Sequence, residues 1–185
     1  YVARVLERVK ICDNVIVGPK IKWISSQKEF DDVQIMNVCK ENIQQLPYRK
    51  VLVWCGIIEK CYELATLWKR EFKDYLVVVD TSKEENDDYK LFAESENNAI
   101  LFCACKHREG SDISNLDGCI FLDQVENRNA KTFVQCIGRV LRKDKLQKKN
   151  YGLIMDFNAI SCIKICDRMN SYLNCDHGFP WKYEY

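Results

Sequence analysis

The sequence lacks the segments that would direct a chain into or across a membrane. No apolar run approaches the roughly 18 residues that a membrane-spanning helix needs, and no signal-peptide pattern opens the chain. Internal repeats and low-complexity linkers are also missing. The 185 residues, 47% hydrophobic and 30% charged, therefore predict a globular domain that has no membrane span. Because the first residue is Tyr1 and not Met, we expect a piece of a longer polypeptide.

An excess of charge of one sign is missing too. A net charge of +1 excludes a generally basic nucleic-acid coat, although a local basic strip such as Lys106-His107-Arg108 is still possible. Cysteine, in contrast, is abundant. The 11 cysteines are odd in number and lie mostly in apolar segments, as in residues 102–105. This pattern is typical of small hydrophobic core residues in a reducing compartment, so we expect an intracellular protein without a disulfide framework.

The hydrophobic pattern predicts an α/β fold. Short apolar segments that read as strands alternate with segments of helical spacing, which favours right-handed crossovers and a parallel sheet flanked by helices. A shorter apolar stretch, 15–17, is predicted to stop at the turn signal Gly18-Pro19. A capping box at Ser26 and Glu29 predicts a helix that ends by Pro47. The predicted core strands are 50–55, 75–79, 100–104, 119–122 and 151–157.

Two units follow from this pattern. Residues 1–47 are predicted to be a helical N-terminal extension that packs on the core, and residues 48–185 are predicted to be the α/β domain itself. In parallel sheets of this kind, ligands bind at the carboxyl ends of the strands, so we expect the chemistry there.

The most informative segment is Gln135-Cys-Ile-Gly138-Arg139-Val-Leu-Arg142. Read as a helix, it places Gln135, Gly138, Arg139 and Arg142 on one side, opposite an apolar side that continues to Val140 and Leu141. A mid-helix glycine costs about 1 kcal/mol relative to alanine, which indicates a close approach to the backbone. The pattern predicts an anion-binding helix. The alternative is an amphipathic surface helix with solvated arginines.

A second segment lies upstream. Arg108-Glu-Gly110-Ser-Asp112-Ile113 is a glycine- and aspartate-bearing loop that leads into the apolar strand at 119–122. Together, this loop and the Gln-x-x-Gly-Arg-x-x-Arg pattern resemble motifs V and VI of superfamily 2 helicases. The later segment Ile154-Met-Asp-Phe157 is similar to a strand that follows motif VI in one branch of that superfamily. The resemblance covers roughly residues 48–158. It is to the second RecA-like domain, and it is closest to the branch of the type III restriction subunits and excision-repair helicases.

The resemblance implies an ATP site. Arg142 corresponds to the arginine finger of motif VI, and Arg139 is its neighbour at the same site. Arginine suits this role because a guanidinium donates paired hydrogen bonds to phosphate oxygens. Gln135 corresponds to the motif VI glutamine of the interdomain cleft, with a structural capping role as the alternative. Asp112 corresponds to the acid that binds the ribose of ATP, or else it bonds its own backbone in the loop. Gly110 would supply the turn or a close approach to the ligand.

The resemblance also implies a nucleic-acid surface at the ends of the strands. Small hydroxyls and main-chain amides there would position phosphates without reading sequence. The bound nucleic acid would be DNA or RNA. The corresponding residues are Gly56, Thr81, Ser82, Lys106 and His107.

The sequence contains no Gly-x-x-x-x-Gly-Lys-Ser/Thr phosphate loop and no Asp-Glu pair after an apolar strand. In the family, both belong to an N-terminal RecA-like domain of the same polypeptide, which holds most of the ATP and Mg²⁺. We therefore expect this chain alone to be inactive as an ATPase.

One alternative is a non-catalytic helicase-like module that binds nucleic acid or protein. A zinc site is another alternative, but the spacing of its candidate ligands is not that of a common zinc site, so we predict no metal. The candidate zinc ligands are Cys162, Cys166, Cys175 and His177.

Overall fold

Seven parallel strands form one sheet in the computed structural model, in the order β3-β4-β2-β5-β6-β1-β7. The structure describes residues 17–25, 30–82, 87–104, 113–123, 138–158 and 182–184. The strands are β1 (Pro19–Ser25), β2 (Lys50–Trp54), β3 (Leu76–Asp80), β4 (Ala99–Cys103), β5 (Gly118–Phe121), β6 (Gly152–Asn158) and β7 (Lys182–Glu184). The helices that lie entirely within the described residues are α1 (Asp32–Ile43), α2 (Ile58–Glu71) and α3 (Asp88–Glu94).

The five predicted core strands are confirmed within a residue or two at each end. Every residue of β2, β4 and β5 is buried, as expected for parallel strands that are covered on both faces. One face of the sheet packs against α1 and α2, and the other packs against Phe92 of α3 and the segments around Leu116 and Leu141. The predicted α/β fold with a parallel sheet and flanking helices is therefore confirmed.

The helix α1 buries the apolar side that its spacing predicts, but it begins later than predicted. Ile35, Met36, Cys39 and Ile43 are all buried. The helix starts at Asp32 because the Asp31 carboxylate accepts hydrogen bonds from the amides of residues 33 and 34, at 2.7 and 3.3 Å. The capping residue of α1 is thus Asp31, and Ser26 and Glu29 lie outside the described residues.

The helix α2 anchors the core on the same face of the sheet. Its buried residues are Cys61, Leu64, Ala65 and Trp68, as the spacing predicts. The Trp68 ring stacks on Phe72 with the ring centroids 5.1 Å apart, and it meets Phe102 of β4 edge-on at 5.0 Å. These contacts fix α2 against the middle of the sheet.

The strand β1 corrects the prediction for the N-terminal residues. The strand β1 begins at Pro19, where a turn was predicted, and it pairs in parallel with both β6 and β7. Proline is tolerated at the first residue of a strand, where its missing N–H matters least. The residues before 48 thus contribute a strand as well as a helix to the domain. The helix expected near the start of the chain lies outside the described residues.

The described cysteines are buried free thiols: Cys39, Cys55, Cys61, Cys103 and Cys119. Each therefore acts as a small apolar residue of the core. Among the helices that the structure describes, none has the length and apolar character that crossing a bilayer requires.

Candidate functional site

The residues predicted to bind nucleic acid follow the carboxyl ends of the strands. Gly56 comes shortly after β2, and Thr81 and Ser82 come directly after β3. A Cβ atom at Gly56 would lie 3.6 Å from Asp123, which follows β5. The ends of β2 and β5 therefore meet closely at this edge. Lys106 and His107, which follow β4 in the chain, lie outside the described residues.

Two of these residues are available at the surface and one is not. Gly56 and Ser82 are exposed. Thr81 is only 1% exposed, and its hydroxyl lies 3.3 Å from the Tyr62 hydroxyl. Burial directs the Thr81 side chain into the protein, so Ser82 is the better placed of the two hydroxyls for a phosphate.

The motif VI segment differs from its predicted helix. Gly138 is helical, but residues 139–141 form a turn, so the prediction that one helix continues through Arg142 is wrong. The expectation that both guanidiniums share an outward face is therefore also wrong: Arg139 is only 6% exposed, whereas Arg142 is exposed. The reason is that the main chain of this turn is bound by other parts of the fold, which override the helical spacing. Gln135 lies outside the described residues.

This turn lies where strands begin. The carbonyl of Leu141 accepts a 2.7 Å hydrogen bond from the amide of Val17, just before β1. A Cβ atom at Gly152, the first residue of β6, would lie 2.8 Å from the carbonyl oxygen of Val140. The main chain of Arg142 is thus at the amino-terminal edge of the sheet, opposite to the carboxyl edge where we expected the chemistry.

The end of motif V reaches the same edge. β4 ends at Cys103 at the carboxyl edge, yet the Ser114 carbonyl accepts a 2.8 Å hydrogen bond from the ammonium of Lys50, the first residue of β2. Cys103 and Ser114 therefore lie at opposite edges of the sheet. Gly110 and Asp112 come between these two residues in the sequence and lie outside the described residues, but the neighbouring Ile113 is buried in the core.

Lys149 joins the two motif segments. Its ammonium donates hydrogen bonds to the carbonyls of Leu116, Val140 and Arg142, at 2.8, 2.5 and 2.7 Å. Burial lowers the pKa of Lys149 to about 8, although the nearby Asp117 and Asp144 carboxylates act in the opposite direction. The three hydrogen bonds to main-chain oxygens occupy all three N–H donors of the ammonium.

Asp117 holds the start of β2. Its carboxylate accepts hydrogen bonds from the amides of Tyr48, Arg49 and Lys50, at 2.8, 3.1 and 2.9 Å. Burial raises the pKa of Asp117 even though these bonds and Lys149 favour its charged form. Asp117 is fully buried directly before β5, so it links the beginnings of two neighbouring strands.

Asp144 holds the loop that carries Lys149. Its carboxylate accepts hydrogen bonds from the Tyr48 hydroxyl and from the amides of Lys148 and Lys149, the two amide bonds at 3.0 and 3.1 Å. Burial alone would raise the pKa of Asp144, but these hydrogen bonds outweigh it, so the pKa lies below its ordinary value. Sequence reasoning missed Asp117, Asp144 and Lys149, because nothing in a charge-rich segment distinguishes buried members from solvated ones.

The guanidinium of Arg139 is buried. Its two terminal nitrogens, Nη1 and Nη2, are buried, and they have no hydrogen-bond partner within the described part of the chain. Buried polar groups are almost always satisfied in native proteins. A guanidinium can donate two parallel hydrogen bonds to two oxygens of one phosphate group, so Arg139 is suited to bind a phosphate.

No cluster of three or more histidine, cysteine or acidic residues suited to a metal ion occurs among the described residues. The four candidate zinc ligands between Cys162 and His177 lie outside these residues.

A parallel sheet of this order, flanked by helices, is the architecture of a RecA-like α/β domain. The helicase conserved C-terminal domain matches residues 34–144, and the chain belongs to this family. No curated protein matches the chain.

Solved helicase structures share the fold. S. cerevisiae Dbp5 bound to RNA and ADP BeF3 is similar with a TM-score of 0.66 and 11% identity, over 90% of this chain and 41% of that one. The E. coli DEAD-box protein SrmB bound to RraA has a TM-score of 0.62 and 14% identity, over 91% of both chains. Domain 2 of the DEAD-box helicase Mss116p bound to an RNA duplex has a TM-score of 0.62 and 16% identity, over 90% of this chain and 64% of that one. These identities show the fold alone, so the assignment to the restriction and excision-repair branch stays a prediction.

Proposed function

We propose that this domain closes on an N-terminal RecA-like domain of the same polypeptide around ATP and Mg²⁺, and that the pair steps along DNA or RNA. Membership of the helicase C-terminal family supports the proposal. This sequence contains no phosphate-binding loop, which supports the proposal that the N-terminal domain binds the phosphates of ATP.

The observation that carries the proposal is the buried guanidinium of Arg139, whose Nη1 and Nη2 have no hydrogen-bond partner among the described residues, three positions before the exposed Arg142. ATP, when bound, supplies the γ-phosphoryl group whose transfer builds negative charge. Arg139 is held in a low-dielectric environment, and Arg142, three residues further on, is exposed. Together they would neutralise that charge, and an arginine in this role is typically worth about 10³ to 10⁵ in rate.

The remaining ATP-site residues follow the family pattern. In the proposal, Asp112 accepts hydrogen bonds from the ribose hydroxyls, and Gly110 allows the backbone to approach the ligand. Gln135 lines the cleft beside the arginines. Ile113, which directly follows Asp112, is buried among residues that include Leu116 and Leu141. This packing supports a site in which motif V and motif VI act together.

Nucleic acid would bind at the opposite, carboxyl edge. Gly56 and Ser82 are exposed there, and Lys106 would add positive charge and His107 a hydrogen-bond donor for the phosphates. The buried Thr81 would support this edge through its contact with Tyr62. Two of the three solved structures named above contain RNA, but this fold likeness favours neither RNA nor DNA for the present chain.

The test is the nucleic-acid-stimulated ATPase of the full-length helicase. Arg142→Ala and Arg139→Ala should each lower turnover by at least about 10³-fold, while nucleic-acid affinity stays within about twofold. Arg70→Ala is the matched control, because Arg70 is an exposed arginine on α2, and it should leave turnover unchanged. Equal turnover by Arg142→Ala, Arg139→Ala and the wild type would refute the catalytic reading and leave a non-catalytic binding module.

A further inference from the structure

We infer that Lys149 is a positioning residue for ATP hydrolysis: its ammonium fixes the arginine-bearing turn of motif VI against the end of motif V. The inference rests on the proposed function. Lys149 does not contact the nucleotide in this scheme. It acts through Arg142, whose carbonyl it binds at 2.7 Å, and through Val140, which it binds at 2.5 Å.

The three carbonyls come from two segments that are distant in sequence. Val140 and Arg142 belong to the motif VI turn, and Leu116 follows the motif V loop. Leu116 and Val140 lie outside helices and strands, so their carbonyls depend on partners such as this one. Because a single nitrogen lies within 2.8 Å of all three oxygens, any shift of Arg142 relative to Leu116 breaks at least one hydrogen bond.

Lys149 is itself held in place from both sides. Its amide donates to the Asp144 carboxylate at 3.1 Å, and the same carboxylate accepts the Tyr48 hydroxyl, so the loop is tied to the residues before β2. The Asp117 and Asp144 carboxylates lie near its ammonium and favour the charged form. Lys149 is 5% exposed, which limits competition from water for these bonds.

The chemistry of the site requires an ammonium. Three donors in a tripod match three converging carbonyls, whereas an amide side chain offers two donors in a plane and a thioether offers none. A guanidinium is larger and planar, so it does not replace a compact point charge here. Misplacing a reacting group by about 1 Å costs about 10²-fold in rate.

Lys50 is a natural matched control. It is fully buried, and its ammonium also donates to three carbonyls, those of Ala93, Ser95 and Ser114, at 3.1, 2.7 and 2.8 Å. Burial lowers its pKa to about 8, as for Lys149. Its three carbonyl partners include none from the motif VI turn. A general loss of stability should therefore follow from removing either lysine, but a selective loss of turnover only from removing Lys149.

The experiment compares Lys149→Met, Lys149→Gln and Lys50→Met in the full-length helicase. We expect all three to lower the melting temperature. Lys149→Met should lower kcat by about 10²-fold, with the KM for ATP and the Kd for nucleic acid within about twofold. Lys149→Gln, which keeps two donors in nearly the same volume, should fold more readily and lose less kcat. Lys50→Met should keep kcat within about twofold.

The outcomes separate this inference from the proposed function. If Arg142→Ala loses turnover while both Lys149 variants keep it, only the positioning role is overturned. If the lysine variants at 149 and 50 lower kcat to the same extent, or if kcat and KM change together, Lys149 is merely structural and the inference is also overturned. If Arg142→Ala keeps full turnover, the proposed function fails and the inference falls with it.

Discussion

The hydroxyl of Tyr48 donates a hydrogen bond to the carboxylate of Asp144, 96 residues further along the chain. Both residues are buried. The bond ties the segment that enters β2 to the loop that follows motif VI. Burial, together with the neighbouring Asp144 carboxylate, raises the pKa of Tyr48 to about 12, so the phenol remains a proton donor at any physiological pH.

Replacing Tyr48 by phenylalanine should destabilise the domain. The substitution removes a hydrogen bond to a charged group and leaves a buried carboxylate with one partner fewer, which typically costs about 1.5 to 3 kcal/mol. Urea unfolding of the purified chain measures the loss. Tyr62→Phe is the control, because its hydroxyl makes only a neutral 3.3 Å contact with Thr81, and it should cost at most about 1 kcal/mol. Equal losses for the two variants would contradict the importance of the Tyr48 bond.

Asp144 should contribute to stability in a pH-dependent way. Burial raises its pKa, but the Tyr48 hydroxyl and two amides lower it more, so the folded-state pKa lies below the unfolded value of about 3.9. Stabilisation by such a group is fully present above the unfolded pKa and is lost as the pH falls through the folded pKa. The difference in unfolding free energy between wild type and Asp144→Asn should therefore be constant from about pH 5 to 6.5, where Lys149 stays charged, and shrink towards pH 2.

The measurement is a series of urea unfolding curves for both proteins across this pH range. Asp117 is present in both proteins, so its titration contributes equally to the two unfolding free energies. Its pKa is raised, so its effect on stability with falling pH is opposite to that of Asp144. A difference that stays constant down to pH 2 would show that the Asp144 carboxylate is not stabilised in the folded state.

Gly118 should not tolerate a side chain. A Cβ atom there would lie 2.1 Å from Cγ1 of Val51 on the neighbouring strand β2. Gly118→Ala should therefore cost about 1 to 3 kcal/mol through overpacking. The double variant Gly118→Ala/Val51→Ala removes the clashing methyl group and should cost less than the sum of the single variants.

Thermal unfolding of the four proteins in this cycle gives the coupling. Gly18→Ala is the matched control, because a Cβ atom there meets nothing within 4 Å, and it should change stability by less than about 1 kcal/mol. Additive costs for Gly118 and Val51 would mean that the strands can shift to make room.

The isolated chain should release little or no phosphate from ATP. It contains the motif VI arginines but no phosphate loop, and positioning the phosphates is most of what catalysis of this reaction requires. Phosphate release should be compared with that of the full-length helicase at the same concentration. Substantial turnover by the isolated chain that disappears in Arg142→Ala would contradict an ATP site shared between two domains.

The strands of the core were predictable because parallel strands covered on both faces are continuous apolar runs, as in Val77 to Val79. β1 escaped prediction because Lys20 and Lys22 interrupt its apolar residues. It lies near one side of the sheet, where its only neighbours are β6 and the three-residue β7, so charged side chains are tolerated there.

The motif residues were predictable in identity but not in placement. Val140 and Leu141 fit a helical period, so the spacing extended the helix past its end. In the structure, the Val17 amide and the Lys149 ammonium bind carbonyls of this turn. Such tertiary hydrogen bonds leave no trace in local spacing, and for the same reason the burial of Arg139 and the roles of Asp117 and Asp144 could not be read from the sequence.

The position of β1 has a consequence for synthesis on the ribosome. β1 is made before every other described strand, yet its partners are β6, which begins at Gly152, and β7 beyond it. The nascent chain must therefore carry an unpaired strand until almost the whole domain has emerged. Pairing over such a long separation is slow, and a transcript truncated before Gly152 would yield a product whose earliest strand has nothing to join.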